Sequence, residues 1–450
     1  MSDTGPEAEV FVRAAAAAAP PGARDEQLLG RSVRAWAERT RAQLGMPEGT
    51  VVGAGHQPEW WHPGIVAKFA WADERARRLG ASLAWLVVDT DTRDPAAVRF
   101  PEVRAGRLAA AEVRFAPPLD SGASPVGLPA FRPRGLPEER ADRAPALPCV
   151  GDGLARIRAS LAEHAGARDA VSQVVAAVRD CTPEVGAPAC IVRTSEIMAT
   201  DLGRALVARA NQEPAACVRA FNRAVAHAPR TARPLAESGP RGPELPFWTP
   251  SPTGHRMRVH SLELPRLIAE GAPLWPRAFV TGLFARLALF DRFVHGTGGD
   301  AYERATDALA DEWLGVRLPP FDVATATLRL PLGADEAAAG PTPAELRAEW
   351  FDPERGRGGP GPRKRALLEA IARAPRASAE RRAAWTRMHR ELEEMRSADL
   401  ARLDRFAAET AAARERRREH EVRMDRTWAA ALHPPGAISR LAESIRSLPT

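Results

Sequence analysis

Lysine is almost missing from this chain. Among its 450 residues, with 63 lysines and arginines together, only Lys68 and Lys364 are lysine. Arginine carries the positive charge, as a GC-rich coding bias would leave it. A lysine kept at position 68 therefore suggests a task that needs a compact, tunable ammonium. The net charge of +6 is small for this length. The high isoelectric point comes from dispersed arginine rather than a basic patch, which gives no footprint for nucleic acid. Cysteine occurs four times, at Cys149, Cys181, Cys190 and Cys217, without CxxC spacing. That excludes a zinc ribbon or a disulfide framework and leaves small apolar residues. No run approaches the roughly 20 apolar residues that span a bilayer. Ala14 to Ala19 is closed at once by Pro20, too short for the apolar core of a signal peptide. The expectation is a soluble, cytoplasmic protein that binds neither membrane nor nucleic acid.

What is present supports two or three packed units, since 45% of the residues are hydrophobic. The most organised stretch runs from Val51 to Asp94. Val51 and Val52 lead into Gly53, Gly55, His56, Gln57 and Pro58. Ile65, Phe69, Ala72, Ala76 and Leu79 recur at helical spacing, with Gly80 as the stop. Leu83 to Val88 is an unbroken apolar run, as in a buried parallel strand, and Asp89, Asp91 and Asp94 follow. Strand, helix and strand with polar residues after both strands is half of a doubly wound sheet. There, ligands sit outside the carboxyl ends of the strands.

The fold class expected is α/β: a Rossmann-like doubly wound parallel sheet core with a helical insertion and a C-terminal helical coiled coil. Residues 1–49 read as a loose segment and a helix from Asp25 to Leu44, and 50–150 as the first half of the core. Eight prolines between 117 and 148 forbid long helices there, leaving short edge strands near Val98–Phe100 and Ala111–Phe115. Residues 151–245 read as a helical insertion and connector. The second half, 246–340, holds a strand at His255–Leu262. A helix follows with Phe279, Leu283, Leu287, Phe290 and Val294 on one face, then a helix with Tyr302, Ala305, Leu309 and Trp313 inward and a strand at Val323–Leu330. In 341–450, after a linker ending at Arg363, a helical region broken at Pro375 presents Trp385, Met388, Leu392 and Met395 as a heptad seam. The seam resumes out of phase at Leu403, Phe406 and Thr410. The seam predicts a homodimer.

Three clusters carry candidate chemistry. Backbone N–H groups around Gly55, His56 and Gln57, at a helix start, would attract phosphate or carboxylate, and His56 adds a donor. The plainer reading is a tight turn. Trp60 and Trp61 either stack a ligand ring or cover the core. Asp89, Asp91 and Asp94 would hold Mg²⁺, an amine or a ribose, or act as a base, unless they serve as turn and cap residues. No dedicated metal site is assigned. His295, Gly296, Thr297, Gly298, Gly299 and Asp300 form a phosphate-cradle candidate without the P-loop Lys-Ser/Thr, or a glycine-rich interhelical turn. His56, Asp89, Asp91 and His295 are expected around one pocket.

The same blocks resemble the cysteine-adding enzyme family of bacillithiol biosynthesis (BshC). That family has a Gly-(His or Gln)-Gln-Pro turn, matched by Gly55, His56, Gln57 and Pro58, then a helix lysine, matched by Lys68. Its Asp-His-Asp motif and nearby Glu correspond to Asp89, Thr90, Asp91 and Asp94. Its Gly-Pro-Gly-Glu turn and following tyrosine correspond to Gly296, Gly298, Gly299 and Tyr302, and an arginine near the end to Arg440. Thr90 and Gly299 stand where the family has His and Glu, and this bears on catalysis. That family joins cysteine to the amino group of a glucosamine–malate compound, so the resemblance implies a ligase-like enzyme adding cysteine or a similar amino or thiol compound to a small amino-sugar-type acceptor, with ATP or ADP as a nucleotide candidate. His56 and Gln57 would bind the anionic part, and Asp89 and Asp91 the amine or a metal. The alternative is a non-catalytic dimeric coiled-coil protein whose core binds a nucleotide or metabolite.

Overall fold

The computed structural model describes residues 8–15, 24–135, 143–333, 340–355 and 359–449. The chain divides into two compact units. One comprises residues 1–103, 110–331 and 426–450, the other 104–109 and 332–425.

The first unit is built on a six-stranded sheet. Its strands are β1 (Glu9–Arg13), β2 (Val51–His56), β3 (Ser82–Val87), β4 (Cys190–Arg193), β5 (Arg292–His295) and β6 (Phe321–Thr327). They lie in the order β1-β6-β5-β2-β3-β4. All are parallel except β1, which pairs antiparallel with β6. From β2 the chain steps outward to β3 and β4, then returns to the other side of β2 for β5 and β6. The strand order therefore reverses between β2 and β5. Helix α1 (Pro63–Leu79) forms the crossover from β2 to β3 and ends on Gly80 in the left-handed region (φ +59°), as its apolar spacing predicts.

Several elements differ from the sequence reading. β1 lies in a segment read as loose. The helix expected from Asp25 spans Val33–Gln43, because Leu29 and Gly30 turn with positive φ and Ser32 caps the helix on Ala35 N–H. β4 lies inside the stretch read as helical insertion. It is four residues long, too short for periodicity to separate it from a helix. Phe290 and Val294, read as one face of a helix, belong to a different geometry. The helix Phe279–Phe284 passes into a π-helical turn, Ala285–Leu289, and the chain then extends into β5. This change places His295 at the end of a core strand. The linker before Arg363 contains the helix Pro343–Trp350, closed by a capping box between Thr342 and Glu345.

The closing segment of the first unit buries His433, and neither ring nitrogen has a hydrogen-bond partner. Burial holds its imidazole down at about 4, against an ordinary 6.5. A depressed value stabilises the fold fully above the unfolded value of 6.5, and that stabilisation is lost as pH falls toward 4. Acid titration of stability should lose about 3 kcal/mol across this window from His433 alone. His433→Phe should flatten that limb in chemical denaturation, and an unchanged limb would refute the assignment.

In the second unit, Met388 and Leu392 of helix Ala379–Ala398 are covered by Leu367 and Ile371 of helix Pro362–Arg373. The seam read as a dimer interface is thus filled by its own chain at these positions, while Trp385 stays half exposed. The long helix expected through this region is broken again at Asp399. Leu392→Glu should open the helix pair, because a buried carboxylate would lack a partner. Limited proteolysis should then cut within 362–398 far faster than in the parent, and equal rates would contradict this packing.

Candidate functional site

Three neighbouring strands deliver the candidate residues to one edge of the sheet. β2 ends at Gly55 and His56, β3 leads into Asp89 to Asp91, and β5 ends at His295. Register fixes their proximity, since His56 pairs with Val87 and Val294 with Ala54. This is the carboxyl edge at the reversal of strand order, where open parallel sheets bind ligands.

Beneath that edge lies a buried amine. Lys68 projects from the second turn of α1, and its Nζ donates to the Gly55 carbonyl oxygen at 2.6 Å. Only 4% of the residue is exposed. Burial pulls the ammonium from 10.5 down to about 7, and Glu59 opposes the shift. His56 Nε2 meets Glu59 Oε1 at 2.9 Å. Burial and the Lys68 charge nevertheless lower this imidazole to about 4. His295 falls further, to about 3, through burial, Lys68 and His56. Two neutral imidazoles therefore share the electrostatic field of one amine that titrates near neutrality.

Helix α2 (Gly299–Leu309) supplies the other wall. Glu303 is buried and raised to about 7 by burial, against the pull of Arg286 at 3.0 Å from its Oε2. Its Oε1 has no hydrogen-bond partner and lies 3.9 Å from His295 Nε2. Tyr302 stands between the rings of His295 and Phe279, at 6.0 and 4.9 Å, and burial raises its phenol. Gly299 is required by this packing, since an added Cβ would fall 1.7 Å from His295 Nδ1. Gly299→Ala should expel the His295 ring, and its imidazole should then titrate well above 3 in an NMR pH series. An unmoved His295 titration would contradict this wall.

Above these groups is a cleft of about 830 Å³, lined by Gln57, Thr90, Asp91, Trp248 and Tyr302 and by arginines of the following elements. Gln57 Nε2 donates to Asp91 Oδ2 at 2.8 Å, which ties β2 and β3 at the rim. Asp91 also faces Arg256 at 3.8 Å. The wall includes Ala278, whose φ of +45° and ψ of −119° are strained for a residue with a Cβ. Ala278→Gly should raise stability by about 1 kcal/mol by relieving this strain, read as a higher midpoint in urea. A lower midpoint would contradict it.

The sequence-derived candidates divide accordingly. Gly55, His56, Lys68, His295, Gly299 and Tyr302 converge at the edge, and Gln57 and Asp91 line the cleft above. Of the four residues expected around one pocket, only Asp91 lines this cleft; His56, Asp89 and His295 are absent from its lining, as is Lys68. Asp89 is buried and accepts from Thr194 Oγ1 and Ser195 N–H, both at 2.9 Å, and from Ser195 Oγ at 2.5 Å. Burial raises its carboxyl. Its observed contacts anchor the turn Thr194–Ile197. Asp94 accepts from Ala96 N–H at 3.0 Å, as a turn residue does. Thr90 Oγ1 meets Thr194 Oγ1 at 3.0 Å. Arg440 is exposed on the last helix.

The phosphate cradle expected at Gly55 is not formed by a helix start. Helix α1 begins at Pro63, which has no N–H, and His62 Nδ1 accepts from Gly64 N–H at 3.1 Å. Gly296 and Gly298 are in the turn before α2, whose first N–H groups turn back on Gly296 and Thr297 carbonyls. Trp60 and Trp61 are buried, and Trp61 stacks on Phe69 at 4.1 Å. Among the described residues no group of His, Cys, Asp and Glu is set to hold a metal ion.

Glu59, Glu303, Trp248 and the cleft arginines went unmarked in the sequence. The signals were there: arginines at 230 and 233, and Arg256 and Arg258 alternating along a strand. Dispersed arginine looked like composition because only the fold brings these segments together. No protein-family model matches the chain, and no curated protein matches it.

Proposed function

We propose that the first unit is a Rossmann-like, doubly wound core housing a ligase-like enzyme for a small amino or thiol compound. What supports the fold reading is the order of its parallel strands, reversing between β2 and β5. What carries the enzyme reading is one observation. A desolvated lysine titrating near 7 sits with two neutral histidines beneath a cleft at the sheet's carboxyl edge. Shifted values gathered at one sheet edge mark groups tuned for proton transfer.

The reaction class comes from the resemblance of the Gly55–Pro58, Asp89–Asp91 and Gly296–Tyr302 blocks. A nucleoside triphosphate transfers a phosphoryl or nucleotidyl group to the carboxylate of cysteine, with cleavage of a phosphoanhydride bond; the amine of an amino-sugar acceptor then displaces that group together with one carboxylate oxygen to form the amide. In this scheme Asp91, held by Gln57, binds the amine. Lys68, which titrates near 7, takes its proton. Glu59 orients His56, which stays neutral and serves as a hydrogen-bonding group. Asp89 has a supporting role through Thr194 and Ser195. A homodimer through the helical seam is not required, because Met388 and Leu392 are covered within one chain.

The test is mass spectrometry of wild-type protein incubated with cysteine, a glucosamine–malate acceptor and nucleoside triphosphate. The expected product has the summed mass of the two substrates less one water. If the folded protein gives no such product, the ligase reading fails.

A further inference from the structure

We propose that the arginine-lined half of the cleft is a subsite for the oligophosphate chain of a small-molecule nucleotide. The inference rests on this cleft being the substrate site proposed above. Arg230, Arg233, Arg256, Arg258 and Arg277 all line it. They come from three separate segments: the connector after helix Pro214–His227, the strand Arg256–His260, and the turn before helix Phe279–Phe284. Such convergence is a property of the fold, not of local composition.

Charge balance points to a multiply charged anion. The five guanidinium groups have two carboxylate partners in their neighbourhood, Asp91 and Glu244. Glu244 is shared by Arg277 and Arg258, and Arg256 reaches Asp91 only at 3.8 Å. Neither Arg230 nor Arg233 has a carboxylate partner among the described residues. Three positive charges are left over, in a concavity whose size suits a small ligand rather than a flat polymer. Guanidinium forks match phosphate oxygens bidentately, which a point ammonium does not.

The same wall offers a ring platform. Trp248 lies under Arg256 at 5.2 Å and Arg277 at 4.6 Å, so its indole holds two of the guanidinium planes in place. It is half-buried and lines the cleft, so the open part of the indole is available to a nucleobase beside the phosphate grip.

Calorimetric titration with sodium tripolyphosphate at low and high salt tests the subsite. One equivalent should bind, more weakly at high salt. Arg256→Gln and Arg233→Gln should each weaken binding by about tenfold or more, the scale of a charge-assisted hydrogen bond, with unchanged melting temperature. Adenosine triphosphate should bind more tightly than tripolyphosphate, and Trp248→Leu should erase that difference. No binding to the folded wild type at low salt would overturn the proposal, as would variants that bind like wild type. Citrate competing as well as tripolyphosphate would overturn the phosphate assignment. Lys68→Met should retain tripolyphosphate binding. A protein that binds tripolyphosphate but makes no amide product therefore refutes the proposed reaction and leaves the subsite standing.

Discussion

Lys68→Met is expected to lower amide formation by about a hundredfold or more, the typical contribution of a positioned proton acceptor. The substitution keeps length and apolar stem, so the fold should survive. Lys68→Arg should not rescue, because a guanidinium stays protonated throughout the working range. The pH dependence gives a second readout. Activity that needs the neutral amine should rise through about pH 7, the value to which burial pulls Lys68. Stability carries the same sign. The unfolded chain holds its lysine proton up to 10.5, whereas the folded one releases it near 7. Wild type should therefore gain stability over Lys68→Met as pH rises from 7 to 10.5, and lose that gain as pH falls back through 7. A pH-independent difference between the two proteins would mean that Lys68 is not desolvated.

Gly53→Ala is expected to be the most damaging small substitution in the first unit. Gly53 sits in the middle of β2, and an added Cβ would lie 2.2 Å from the Phe290 ring. That ring is fully buried and stacks on Phe293 at 5.5 Å, so it has little room to yield. Overpacking of this kind costs about 3 kcal/mol. In a unit of this size that corresponds to a drop in melting temperature of roughly 4 °C. Because β2 carries Gly55 and His56 at its end, displacement of the strand should weaken ligand binding as well. Gly298→Ala, where nothing lies within 4 Å of the added Cβ, is the matched control and should melt close to wild type. Equal melting of all three proteins would show that β2 and the Phe290 ring are not packed this closely.

Much of the sheet edge was legible in the sequence because its signals are local. Gly80 stops a helix, Leu83 to Val88 is one apolar run, and Gln57 and Pro58 follow the end of a strand. Adjacent strands then force their ends together. β5 was harder to see, since four residues of which only Phe293 and Val294 are apolar carry no period of their own, and the π-helical turn at Ala285–Leu289 has no sequence mark. Asp89 shows the limit of residue type as evidence. Thr194 and Ser195, more than 100 positions away, engage this aspartate, and no spacing rule predicts that pairing. Lys68 shows the reverse case. Its rarity drew attention to it, but only burial under Gly55 explains what a lysine does there that an arginine could not. The seam of Met388 and Leu392 was a correct reading of an apolar stripe. Its partner was a helix of the same chain, which a heptad pattern does not specify.

Because the chain holds just two lysines, one experiment addresses the buried amine without knowledge of the substrate. Protein labelled with ¹³C at lysine Cε should give two resonances, assigned by the loss of one in Lys68→Met. Followed against pH, the Lys68 signal is predicted to titrate with a midpoint near 7, and to do so in the folded protein only. A Lys68 resonance that stays in its protonated position past pH 9 would contradict the account of this site.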